Sequence, residues 1–335
     1  MHKSDANLHK NARMFGDQPQ QLPQQIAFLL LPGFSMIGLA AMVDPLRWAN
    51  TLQRQECYRW QMLSLGGRPV RSSNDISLMA DDAIESVAGI NTLVVCAGFH
   101  PQEQLNGTLA GALRRLAALG VDIGGQDTGS YILAAAGLLE GYSATIHWEN
   151  HDSYREAFRN VTVVEELFDI DRNRFSCSGG LSGLDMMLHL VREQHGAELA
   201  AAISDQLIYP SAREGSEPQR LSLQSRYGVA NAKVLESIEN MQAHFEHTLP
   251  IPELARRVHI SERELERLFR HHLDTTPLAF YRRLRLEKAQ QLLQQTSFSI
   301  TNIALRCGFA STAHFSRSYR RHFGHSPRQA RNRED

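Results

Sequence analysis

The sequence predicts an α/β domain, a parallel sheet flanked by helices, followed by an all-α domain with two helix-turn-helix units. Three observations predict it. Through the first two-thirds of the chain, short apolar runs alternate with segments of helical periodicity, a pattern that a parallel sheet covered on both faces satisfies. A polar stretch without periodicity, Glu214-Gly215-Ser216-Glu217-Pro218-Gln219-Arg220, then breaks the pattern. Beyond it the chain repeats itself at a period of about 50 residues.

In chain order, residues 1–24 are polar, rich in Gln, Asn, His and Lys, and read as a disordered tail rather than a secretory signal. Residues 25–31 form an apolar run closed by Pro32-Gly33, a strand and turn. A helix is expected over 36–54, a strand over 58–65 ended by Gly66-Gly67, and a buried strand over 92–96 followed by Ala97-Gly98. Residues 108–119 carry helical spacing. The strand at 121–125 runs into Gln126-Asp127-Thr128-Gly129, and a helix follows over 130–139. Ser178-Gly179-Gly180 precedes a further helix at 184–192. The expected domains are 25–212 and 227–331, joined by a linker at 213–226.

The composition, 42% hydrophobic and 21% charged, supports a sizeable core. No apolar run approaches the roughly 18 residues that a membrane span needs. Cys57, Cys96, Cys177 and Cys307 are scattered, and neither they nor the histidines show metal-ligand spacing. No metal or cofactor is predicted, and reduced thiols fit a cytoplasmic protein. The net charge of −1 hides an asymmetry: residues 250–335 carry 16 Lys+Arg against 8 Asp+Glu, and the remainder is correspondingly acidic. A basic end on an acidic body suits a polyanion.

The repeat gives that end a geometry. Leu254-Ala255 recurs as Ile303-Ala304, and Ser261, Leu265, Arg267, Phe269, Leu273 and Pro277 recur as Ser311, Phe315, Arg317, Tyr319, Phe323 and Pro327. Each copy reads as helix, turn, helix. Ser261 caps the second helix of the first unit with Glu264 as capping-box partner, and Ser311 caps its counterpart. A helix at about 278–295 joins the units. Arg263, Arg267 and Arg270 lie on one second helix; Thr312, His314, Arg317, Arg320 and Arg321 lie on the other. Second helices of this motif enter the major groove, where arginine reads guanine and holds phosphate. Double-stranded DNA is therefore the expected partner. The run Ile303-Ala304-Leu305-Arg306-Cys307-Gly308-Phe309, Ser311, His314-Phe315-Ser316-Arg317 and Tyr319 to Pro327 resembles the AraC/XylS family of transcription regulators.

In the first domain, ligands are expected at the carboxyl ends of the strands. Asp127-Thr128-Gly129-Ser130, Ala134 to Gly141 and Ala144-Thr145-Ile146-His147-Trp148 resemble the class I glutamine-amidotransferase-like (PfpI-like) superfamily, a flavodoxin-like sheet. The resemblance implies that Asp127 stands where catalytic members carry the nucleophilic Cys. A binding domain without catalytic residues is then expected, because a carboxylate is a poor nucleophile toward amides. Both matches together resemble AraC-type regulators with a sensor of this kind, nearest in look to regulators of glycine betaine and carnitine catabolism. That resemblance implies an activator, a small-molecule effector, RNA polymerase as partner and a homodimer. A quaternary ammonium prefers aromatic faces and a carboxylate, which nominates Asp127, Thr128, Gly129, His147, Trp148, Glu149, Asp44, Arg47 and Phe99. Two alternatives stay open: an amidase- or isomerase-like enzyme fused to a DNA-binding domain, and a regulator controlled by a protein partner.

Overall fold

The computed structural model describes residues 22–331 apart from Ser297; most of the expected tail at 1–24 lies outside them. The chain divides into two compact units, one ending at Gln219 and the other beginning at Arg220.

The first unit is built on a seven-stranded sheet. Its strands are β1 (Gln24–Leu30), β2 (Tyr58–Ser64), β3 (Asp82–Ala83), β4 (Thr92–Ala97), β5 (Asp122–Asp127), β6 (Phe168–Asp171) and β7 (Arg174–Cys177). The spatial order is β6-β7-β5-β4-β1-β2-β3. Side chains on a strand alternate between faces, and β1 shows why both faces are covered. Ile26, Phe28 and Leu30 enter one core with α1 (Met36–Gln53), α4 (Ser182–His195) and α5 (Ala197–Gln206). Ala27 and Leu29 enter the other with α2 (Gly107–Ala118) and α3 (Gly129–Ala135).

The sheet departs from the expected all-parallel form at one edge, where β6 and β7 pair antiparallel. The short sequence Phe168-Asp169-Ile170-Asp171 mixes acids with apolar residues and gives no clean strand signal. Its acids are used locally: Ser143 Oγ donates to Asp169 Oδ2 at 2.5 Å, and Ser143 N donates to Asp171 at 2.9 Å. The helix after β5 is also shorter than expected. It ends at Ala135, and Gly137 turns the chain at a φ of 77°.

The second unit contains α6 (Leu223–Tyr227), α7 (Ala232–Ala243), α8 (Ile251–Arg257), α9 (Glu262–Leu273), α10 (Pro277–Gln295), α11 (Ile300–Arg306), α12 (Thr312–Phe323) and α13 (Pro327–Arg331). The long α10 belongs to two cores. Phe280, Tyr281 and Leu284 pack with α7, α8 and α9, whereas Leu286, Ala289, Leu292 and Leu293 pack with α11 and α12.

The expected linker at 213–226 is largely not a tether. Arg213 places three hydrogen bonds on the fully buried Asp185 carboxylate, at 2.7–3.0 Å. A Cβ on Gly215 would lie 2.9 Å from Phe168 O, and Leu167 N donates to Gly215 O. On the other side, Ser222 caps α6, whose Leu223 and Tyr227 pack against the core of the second unit. Polarity misled the expectation, because these polar groups are consumed in docking. Only residues 220–222 separate the two docked segments.

Candidate functional site

In the second unit each repeat places a short helix against a longer one. Four residues join α8 to α9 (258–261) and five join α11 to α12 (307–311), so the second turn carries one residue more. Ser261 Oγ accepts from Glu264 N, and Ser311 Oγ accepts from His314 N, each at 3.2 Å. The expected capping box at the first site is only half made. The Glu264 carboxylate does not return to the cap; it accepts two bonds from Arg267 at 2.7 and 2.8 Å.

That pairing exposes a difference between the repeats. Leu265, Leu268 and Phe269 are buried on α9, and Phe315 and Tyr319 on α12, which turns the arginines outward. On α9, Arg267 is held by Glu264 and Arg270 by Glu266 at 3.5 Å, with Arg263 exposed beside them. On α12, Arg317, Arg320 and Arg321 are exposed on a helix without acidic residues. His314 is exposed, with its ring 5.7 Å from Phe309. Thr312 Oγ1 reaches Thr301 at 3.3 Å and so also ties α12 to α11.

Sequence reasoning missed the residue that fastens the second repeat. Arg285, half-buried on α10, donates to Cys307 O and Gly308 O at 2.6 Å each and lies over the Phe309 ring at 4.2 Å. It supplies donors to carbonyls at the end of α11 that the helix leaves open. Nothing in the sequence separates it from its neighbours Arg282 and Arg283.

In the first unit the turn between β5 and α3 is sharp. Asp127 adopts a φ of 59°. Cβ atoms on Gly125 and Gly129 would fall 2.4 Å from Ser130 N and 2.0 Å from Val95 O, so glycine is what lets strand and helix meet. Thr128 Oγ1 donates to Gly98 O, next to the exposed Phe99 at the end of β4. Gly179, at a φ of 93°, covers the Asp127 carboxyl, with its would-be Cβ 2.9 Å from Asp127 Cγ. The Ser178-Gly179-Gly180 turn is therefore part of this site. Ser130 Oγ donates to Thr145 O at 2.8 Å, which holds the segment leading to His147, Trp148 and Glu149. His147 Nδ1 lies 3.7 Å from Glu149 Oε2, and the His147 and Trp148 ring centroids are 5.4 Å apart.

Burial, with the Glu149 charge adding to it, pushes the Asp127 carboxyl up to about 7. Burial also pushes the neighbouring Cys177 thiol up to about 12, and the fully buried Cys96 thiol well above its usual range. Neither is a thiolate near neutral pH. Glycine backbone thus walls in the Asp127 carboxyl, and the Glu149 charge acts on it.

Asp44 and Arg47 are not brought here. They pair with each other at 3.0 Å on the outer face of α1, both about half exposed. At 1.5 Å per residue they lie about 9 and 14 Å along the helix from Gly38, whose backbone abuts the Gln126 side chain. Arg47 also covers the Trp48 ring at 4.5 Å. The charges of Asp44 and Arg47 suit a zwitterionic ligand, but helical periodicity does not tell which stretch of a helix reaches a strand end.

Comparison with known proteins bears on both units. A helix-turn-helix domain model matches residues 254–333. The chain is 46% identical over 310 residues to the HTH-type transcriptional regulator CdhR of Pseudomonas aeruginosa, covering 92% of each protein. It is 44% identical over 309 residues to the regulator GbdR of the same species, covering 92% of this chain and 84% of that one. The crystal structure of an AraC family transcriptional regulator from Pseudomonas putida matches with a TM-score of 0.51 and 31% identity, over 55% of this chain and all of that one. Among the described residues no helix is long and apolar enough to cross a membrane.

Proposed function

Because the chain belongs to the AraC family of helix-turn-helix transcriptional regulators, we propose that the turn at Asp127 is its effector site and that the effector is a small cation of the quaternary ammonium class. The observation that carries this reading is the Asp127 carboxyl at the sharp β5–α3 turn, walled in by Gly179 and raised by burial first and the Glu149 charge second. A permanent cation relieves that repulsion and displaces the proton from Asp127. Trp148 and Phe99 offer aromatic faces to the alkyl groups. His147 lines the same wall, with Thr128 and Gly129 as its floor. The seven-residue α3 and the adjacent Asp127 make a poor seat for an anion, so the cationic end of the effector belongs at the turn. Glycine betaine and carnitine fit this description.

The reading makes Asp127 a binding residue in the position where catalytic amidotransferase-like proteins carry their nucleophilic Cys. A carboxyl that keeps its proton to about pH 7 is a weak nucleophile, and no thiolate is at hand to replace it. The effector acts by population shift: it binds one arrangement of the regulator better and so biases how the DNA-binding units are presented. On the DNA side, Ser261, Arg263, Glu264, Arg267 and Arg270 of the first repeat, and Ser311, Thr312, His314, Arg317, Arg320 and Arg321 of the second, face the duplex. The working form is a cytoplasmic homodimer that recruits RNA polymerase as an activator of a catabolic operon.

Thermal-shift titration of the full chain with glycine betaine, carnitine and dimethylglycine tests the effector class. A ligand at 100 times its dissociation constant should stabilise by about 2.7 kcal/mol, and Asp127→Asn should abolish the response. A chain that ignores every amine tested, or a D127N variant that responds undiminished, sinks the reading.

A further inference from the structure

Gln219 is the last residue of the first unit, one peptide bond before the short 220–222 connection. Its side chain turns back into the fold. The Nε2 group lies 3.0 Å from Thr145 Oγ1, 3.0 Å from Ile146 O and 2.9 Å from Glu166 O. His151 Nε2, 3.2 Å away, lies 2.9 Å from Ile146 O. That second contact needs a proton on His151, so the imidazole is a neighbour donor and not an acceptor for Gln219. Two amide protons are thus shared among three oxygens, while Gln219 Oε1 is buried without a protein partner. The seat is held from one side only. Glu166 also bridges Pro218 through the backbone, so two consecutive residues are docked.

The acceptors matter because of where they stand. Ile146 directly precedes His147, Trp148 and Glu149, and Thr145 O receives the Ser130 hydroxyl from the first turn of α3, three residues after Asp127. One continuous set of hydrogen bonds therefore runs from the Asp127 turn, through Thr145 and Ile146, to the residue that begins the connection.

We propose that Gln219 is a positioning residue that couples the 145–151 segment of the effector site to the connection leading to the DNA-binding unit. It fixes the height of the His147 to Glu149 loop and, by the same bonds, the point from which the connection departs. A change in that loop must reach Gln219, and release of Gln219 must reach the loop, with equal coupling in both directions. The proposal takes the effector-site reading as its physiological trigger, but the coupling itself is a property of the empty chain.

Hydrogen–deuterium exchange on the full chain tests it without any effector. Gln219→Glu keeps the shape and replaces the donor with a carboxylate facing three oxygens. It should speed exchange of amides in 145–151 and of the hydrogen-bonded amides in the docked 213–217 segment that leads to Gln219, by roughly tenfold, and leave α2 unchanged. In the reverse direction, Glu149→Gln should alter exchange in 213–217. Should Q219E not fold, Gln219→Asn keeps the amide, shortens its reach, and is read the same way. The proposal is overturned if Q219E loosens 213–217 while 145–151 stays as in wild type, or if E149Q is silent in 213–217. A glycine betaine titration of the wild-type chain in the same assay separates the two claims: no protection there removes the effector class and leaves the coupling result standing.

Discussion

At the scale of single residues, Asp127 gives the sharpest prediction. In the folded chain its carboxyl keeps a proton up to about pH 7, whereas an unfolded chain releases it near 3.9. Between these values the folded state binds more protons than the unfolded state. Its contribution to stability is therefore full below about pH 4 and is lost as pH rises through about 7. Asp127→Asn should flatten this dependence and leave the variant more stable than wild type at pH 8, by roughly 1–2 kcal/mol after allowance for partial exposure. Urea unfolding at pH 5 and pH 8 reads the difference, and equal slopes in the two proteins would contradict it. A cation at the same carboxyl must bind more tightly as pH rises through 7. The glycine at the head of α3 makes a second prediction. A Cβ at Gly129 would meet Val95 O, a backbone atom that cannot swing away. Gly129→Ala should cost about 3 kcal/mol, measured as a fall in denaturation midpoint at unchanged slope.

At the scale of elements, the second helices of the two repeats, α9 and α12, share a cap and differ in charge. Ser311→Ala removes the acceptor for His314 N and should lower the stability of the second unit by about 1 kcal/mol. The electrostatic difference predicts unequal roles on DNA. On α12 the arginines have no acid on their own helix, so Arg317→Ala should weaken binding across sequences and reduce the salt slope by about one. On α9, Glu264 holds Arg267 in a two-point pair. Glu264→Gln should release that guanidinium and strengthen binding to random duplex at low salt. Fluorescence anisotropy on specific and random DNA distinguishes these outcomes. Unchanged binding in E264Q would mean that the pair dissolves on contact with DNA. The connecting helix contributes through Arg285, whose loss strands two carbonyls at the end of α11. Arg285→Met should destabilise the second repeat by about 2 kcal/mol and weaken binding to a two-site operator more than to a single half-site.

At the scale of the whole molecule, the near-neutral net charge is a poor guide to behaviour. The basic surplus lies in residues 250–335 and the acidic surplus in the rest. A DNA-binding unit carrying its charge on one end should show a steep salt dependence, with a log–log slope on the order of −5 if about five or six phosphates are neutralised. A slope near zero between 50 and 200 mM salt would remove the second unit from DNA. The acidic first unit should stay off the polyanion at every salt concentration. It meets the second unit's chain through a connection of three residues, which makes the docking of 213–219 a mechanical matter as well as a structural one.

The sequence by itself determined the architecture. Alternating apolar runs, the internal repeat, its capping serines and its arginines are local patterns, and local patterns fix element type, element order and the face that an element buries. It also determined that the Asp127 turn and the His147 segment belong together, through motif resemblance. What only the tertiary structure decided were pairings between residues distant in the chain. Examples are Gly179 over Asp127, Arg285 on the end of α11, Arg213 on Asp185, and Gln219 beneath Ile146. It also placed Asp44 and Arg47 away from the Asp127 turn by showing how far along α1 they lie. The reason is physical. Periodicity records which side of an element is buried, whereas a hydrogen bond across 70 residues depends on how whole elements stack, and nothing in the local alphabet marks the polar groups that stacking will consume.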